Sequence, residues 1–169
     1  MIFRLGDSLV KNNRHKKKRR VVIDTNVISQ GIGDHKQPQM DAVKIADSKN
    51  EHVYTKVIDD ELKAIKKKKE IRHIPSFYDN IKKYRSKKRK DVIDTESPSH
   101  KQLKLRAPGK DKRILHAAIV TKSDTIITMD KEFEKKSDGI DGIQIIKPDK
   151  YVSEKRKKKG RNRLIRKTQ

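Results

Sequence analysis

The sequence predicts an α/β fold, a mostly parallel sheet with helices on both faces, and three observations predict it. Four short apolar runs, "RVVID" (20–24), "HVYT" (52–55), "TIITM" (125–129) and "IQIIK" (143–147), are continuous rather than alternating, as suits strands covered on both sides. Segments with helical periodicity separate them. The resulting order, β, α, α, β, α, α, α, β, β, is the alternation that a parallel sheet requires.

Each element rests on its own residues. "PQMDAVKIADSKN" begins with Pro38, suited to a first helical turn, and sets Met40, Val43 and Ile45 or Ala46 on one side. In "KVIDDELKAIKKKK", Ile58, Leu62 and Ile65 recur at helical spacing, and in "DKRILHAAIV" Ile114, Leu115, Ala118 and Ile119 form one stripe. "PSFYDNIKKY" (75–84) reads as a further helix. Residues 88–109 carry the weakest pattern, a short strand around Lys90 to Ile93 and then a polar loop. Phe77, Tyr78 and Tyr84 read as packing groups rather than base-stacking surfaces, because three Phe, four Tyr and no Trp must also furnish the core. His116 likewise reads as a packing residue.

Charge narrows the partner. The chain has 169 residues, one domain plus tails, with 46 Lys and Arg against 23 Asp and Glu, for a net charge of +23. Nucleic acid fits such a surface best, since neutralising phosphates releases counterions. An anionic membrane surface is the rival, but no apolar run approaches the roughly 18 residues of a membrane span. The first 20 residues place their charges after a short apolar patch, unlike a signal peptide. The absence of cysteine excludes disulfides and thiolate metal sites, so a cytoplasmic or nuclear location is expected.

Three blocks, 11–20, 82–90 and 155–167, hold half of all the Lys and Arg. They divide the chain into a basic N-terminal arm (1–18), a folded domain (19–152) and a basic C-terminal tail (153–169). Both arms are too poor in apolar residues to fold alone and are expected to be of low order. The candidate phosphate contacts are Lys16, Lys17, Lys18, Arg19 and Arg20, then Lys87, Lys88 and Arg89, then Lys157, Lys158, Lys159, Arg161 and Arg163.

Against this background four acids stand out. In open α/β sheets the functional crevice lies outside the carboxyl ends of the strands. Asp24 stands at the carboxyl end of the first strand, and Asp130 directly follows the strand at 125. Asp111 opens a helix that joins the same edge provided residues 90–93 form the preceding strand. Glu61 follows "HVYT" by a turn or so of helix. Converging carboxylates repel unless a cation sits among them. Oxygen-only ligands suit Mg2+ or Mn2+, and in a basic chain the phosphates would come from nucleic acid. Metal-assisted phosphodiester hydrolysis follows. Each acid also has a structural alternative: a turn cap at Asp24 and Asp130, a helix N-cap at Asp111, and a surface pair of Glu61 with Lys63 or Lys66.

The motifs "VVIDTNVI", "VIDDELKAI", "DKRILHAAIV" and "TIITMDKEF", in that order, with "GIQIIKPDKYV" closing, resemble the PIN domain of metal-dependent ribonucleases over residues 19–152. The resemblance implies a Rossmann-like three-layer α/β/α sandwich around a mostly parallel sheet. It implies that Asp24, Glu61, Asp111 and Asp130 are the four catalytic acids, and that Asp24, Asp111 and Asp130 hold metal. Asn26 and Thr128 match polar neighbours that orient the acids. Asp59 and Asp60 crowd the second acid, and Met129 stands where many members have a polar residue. The implied activity is a Mg2+ or Mn2+ dependent endoribonuclease that leaves a 5′-phosphate and a 3′-hydroxyl. A toxin with an antitoxin partner and an enzyme of structured or ribosomal RNA in a ribonucleoprotein setting are both open roles. DNA is the second substrate class, a homodimer is implied by resemblance alone, and a non-catalytic nucleic-acid-binding scaffold is the competing reading.

Overall fold

The computed structural model describes residues 18–65, 76–95 and 111–165, without the side chains of Asp111 and of residues 160–165. The expectations at Lys16 and Lys17, and those on the side chains of Asp111, Arg161 and Arg163, lie outside the described residues.

The sheet is parallel and open. Strands β1 (Val21–Ile23), β2 (Thr125–Ile127) and β3 (Gln144–Ile146) lie in that order, with Val22 opposite Ile126 and Ile126 opposite Ile145. On the other side of β1, the extended residues 52–55 join by a bridge from Val21 to His52, and Ile93 joins them by a bridge to Thr55. "HVYT" is thus no continuous strand but a stretch held at its two ends. The strand expected at 90–93 is corrected: Arg89–Asp91 form a 3-10 turn, and only Ile93 reaches the sheet, its N–H donating to the Tyr54 carbonyl.

Consecutive residues of β1 are fully buried, as are Ile126 and Ile127 in β2. Since neighbouring strand residues point to opposite faces, both faces are covered, as their uninterrupted apolar runs require. After β1 come α1 (Thr25–Ile28), a π-helical turn (Ser29–Gly33) and α2 (Gln39–Ser48). Helices α3 (Lys56–Ile65) and α4 (Ser76–Lys88) follow residues 52–55, and α5 (Asp111–Val120) leads to β2. Helix α6 (Lys131–Ser137) links β2 to β3. It was not among the elements expected from sequence, although two parallel strands need a crossover between them; Phe133 is its one large buried apolar residue.

From β1 the chain moves one way across the sheet to residues 52–55 and Ile93, then crosses back to β2 and β3 on the other side. The chain thus reverses direction across the sheet at β1, the kind of switch point outside whose strand ends open α/β sheets place their functional crevices. The last helix, α7 (Pro148–Ile165), runs straight across residue 152. The expectation of low order in the C-terminal tail is therefore corrected through Ile165. What holds this basic helix down is its inner face: Tyr151 and Val152 are buried, and so is Lys155, which pairs with Glu51.

Candidate functional site

The carboxyl ends of β1 and β2 meet at one edge of the sheet, and contacts there extend the ladder beyond the strands. The Asp24 N–H donates to the Ile127 carbonyl at 2.9 Å, and the Thr128 N–H donates to that of Ile146 at 3.0 Å. Asp24 is 6% exposed. Its position is the N-cap of α1, yet its side chain makes no cap bond there. Instead its Oδ2 accepts the Thr128 hydroxyl proton at 2.6 Å, within the range of a charge-assisted bond. The turn-cap alternative therefore does not account for the Asp24 carboxylate.

Thr128 joins the rest of the edge. Its Oγ1 accepts the Asp130 N–H at 3.0 Å and lies 3.5 Å from the Asn26 amide nitrogen, while the Asn26 carbonyl oxygen accepts the Met129 N–H at 3.3 Å. Asp24, Asn26, Thr128 and the backbone of Asp130 are thus one connected network, built from the residues that follow two adjacent strands. Glu61 approaches by another route, accepting the hydroxyl of Thr25 on its Oε2 at 2.5 Å. Thr25 is the link that the sequence pattern did not expose. A surface pair with Lys63 is not how Glu61 is held.

The three acids of α3 separate cleanly. Asp59 receives the Tyr54 hydroxyl at 2.9 Å and both Arg85 Nε and Nη2 at 2.9 and 2.8 Å. This Arg85 fork holds the Asp59 carboxyl below its usual range, with burial opposing. Asp59 is spent on joining α3 to α4, which leaves Glu61 as the acid of this helix that reaches the neighbourhood of Asp24.

Asp130 has a structural duty as well. Its Oδ1 accepts the N–H groups of Glu132 and Phe133 at 2.8 and 3.1 Å, making it the N-cap of α6. Asp111 is the first residue of α5, which packs against β1 and β2 and contacts α3. Among the described residues no three His, Asp or Glu side chains gather closely enough to hold a metal ion. The donor chemistry of the network, carboxylate, amide and hydroxyl oxygen, does suit a hard cation such as Mg2+ or Mn2+.

The basic candidates divide by their partners. Arg19 is engaged within the protein. Its guanidinium donates to Thr125, Glu154 and Gln144 at 2.8, 3.0 and 3.0 Å and lies over the Tyr151 ring. Lys88 is likewise occupied, 2.7 Å from Asp47, a carboxylate shared with the buried His52 Nδ1 at 2.7 Å. Lys18, Arg20, Lys87, Arg89, Lys157, Lys158 and Lys159 are exposed. Phe77 and Tyr84 are buried, as expected of packing groups, and Tyr78 is partly buried against the same core.

Comparison with known proteins adds little beyond this geometry. No protein-family model matches the chain, and no curated protein matches it. One solved structure that does match is VapBC2 from Rickettsia felis, bound to a DNA fragment from its promoter, at 15% identity. The match covers 75% of this chain and 97% of that one, with a TM-score of 0.49. No helix among the described residues is long and apolar enough to cross a membrane.

Proposed function

We propose that the protein is a divalent-metal-dependent nuclease, with RNA as its first substrate class. The observation that carries this reading is the position of Asp24: a nearly buried carboxylate at the switch point of a parallel sheet, oriented by a hydroxyl from the adjacent strand end. A carboxylate oriented in this way at a strand end presents oxygen donors suited to a hard divalent cation. The resemblance of the four acidic motifs to the PIN domain points the same way.

In this reading Asp24, Asp111 and Asp130 hold Mg2+ or Mn2+, with Oδ1 of Asp130 retained by the α6 cap. The metal supplies a Lewis acid for the phosphodiester and an acidified water. Glu61, fixed by the Thr25 hydroxyl, orients the attacking water and accepts its proton. Thr128 and Asn26 keep the Asp24 carboxylate from rotating. Water oxygen bonds to phosphorus as Glu61 takes its proton, the bond to the 3′-oxygen breaks, and that oxygen takes a proton from solvent to leave as a hydroxyl. The exposed lysines hold the flanking backbone. An antitoxin, a ribonucleoprotein or a second copy of the chain are the partners consistent with this role.

The second reading is a scaffold that binds nucleic acid without cleaving it, and the engagement of Asp130 in a helix cap favours it. One experiment decides between the two. Purified protein and its Asp24→Asn variant are incubated with a labelled structured RNA and matching single- and double-stranded DNA, in Mn2+ or in EDTA. The nuclease reading expects RNA cleavage that requires Mn2+ and is lost in the variant. Undiminished cleavage by Asp24→Asn would sink the site assignment, and tight binding without cleavage of any substrate would establish the scaffold.

A further inference from the structure

Between α2 and α4 lies a cleft of about 290 Å3 whose polar lining comes from Lys44, Asn80, Lys83, Lys87 and His35. Asn80, Lys83 and Lys87 fall on one face of α4, three and four residues apart, and Lys44 comes from α2. No acidic side chain lines the cleft. Among the described residues none of the three lysines enters an ion pair, whereas their α4 neighbours Arg85 and Lys88 are spent on Asp59 and Asp47. The Asn80 amide donates to His35 Nε2 at 3.0 Å, which fixes the rim of the cleft. Three lysines without an ion-pair partner among the described residues, lining a cleft that has no acid, give it a cationic surface, which favours a multiply charged anion.

The cleft adjoins the strand-end network. Met40 lines it, and the preceding residue, Gln39, has its amide nitrogen 3.5 Å from the Met129 sulfur. The Met129 N–H in turn donates to Asn26.

We propose that the cleft between α2 and α4 is a phosphate seat for a nucleic-acid backbone that also reaches the Asp24 edge. The identity of the polyanion rests on the nuclease reading above; the anion preference of the cleft does not. A substrate must then be long enough to fill both places, and very short oligonucleotides bind weakly.

The test measures binding in EDTA, so that cleavage plays no part. A labelled RNA hairpin is titrated against wild type, against the triple variant Lys44→Gln, Lys83→Gln, Lys87→Gln, and against a control that removes three exposed lysines elsewhere, Lys131→Gln, Lys135→Gln, Lys150→Gln. The slope of log affinity against log salt should fall by about 2 in the cleft variant and by less than about 1 in the control. Equal changes in the two variants would overturn the seat, because only general charge would then matter. Loss of binding to phosphatidylserine vesicles with an unchanged RNA slope would overturn it in favour of a membrane surface. Wild type that binds RNA with the expected slopes but cleaves nothing in Mn2+ refutes the nuclease reading and leaves the seat standing.

Discussion

At Thr128 a single hydroxyl serves three neighbours, donating to Asp24 and lying within reach of the Asp130 N–H and the Asn26 amide. Thr128→Val keeps the shape and removes the polar atom, taking one hydrogen-bond donor from the buried Asp24 carboxylate. The expected cost is about 1–3 kcal/mol in urea unfolding and ~10–100-fold in any metal-dependent cleavage, with Thr128→Ser restoring most of both. A second prediction concerns Asp59, whose folded pKa lies below the ordinary 3.8 because Arg85 holds it. The stability it contributes is present above pH 3.8 and disappears as pH falls through the folded value, so Asp59→Asn should destabilise at pH 6 and lose its effect near pH 2. A gap that stays constant in urea titrations across that range would refute it. Asp24 was legible in the sequence because a strand end and an acid coincide there. The part of Thr25 was not, because a threonine beside an aspartate looks like any turn residue until the fold brings Glu61 to it. Arg19 misled for a related reason: in a run of like charges, nothing local distinguishes the one that folds inward.

Among the elements, α4 depends on a glycine of the π turn. A Cβ built on Gly33 would lie 2.0 Å from the Phe77 ring, and that ring is fully buried. Gly33→Ala should therefore push α4 away and destabilise by about 1–3 kcal/mol, measured by thermal or urea unfolding. Phe77→Leu in the same chain should recover part of the loss. The strands of the central sheet could be read directly, since "VVI", "TII" and "QII" are apolar enough to be buried on both faces. Residues 52–55 and 90–93 read as strands but pair only through the isolated bridges at His52 and Thr55, because short runs do not reveal how much of a ladder their neighbours allow. Helix α6 escaped detection for want of an apolar stripe: one buried phenylalanine and an aspartate cap suffice when the sheet already fixes both ends.

For the whole molecule, self-repulsion is the dominant long-range term. A net charge of +23 opposes compaction, and screening weakens it over about 8–10 Å at physiological salt. Raising NaCl from 20 to 300 mM, salt concentrations set by the experimenter, should raise Tm, and a short polyphosphate should raise it at far lower concentration; a Tm that falls with salt would show that the internal ion pairs outweigh the repulsion. Composition suggests a polyanion partner without saying where it would lie, because the folded body pairs some cations internally and leaves others exposed. The last helix shows what that sorting achieves. Tyr151 and Lys155 both bond Glu51, and Arg156 reaches Asp41, whereas Lys159, on the same helical stripe as Lys155, is exposed. The body ends there and α7 continues to Ile165. Mechanically it is a beam clamped at Tyr151, Lys155 and Arg156, with Lys157, Lys158 and Lys159 exposed beyond the clamp. A helix holds these lysines at fixed angles around its axis instead of sweeping them through a volume, so a polyanion that they capture costs them less freedom.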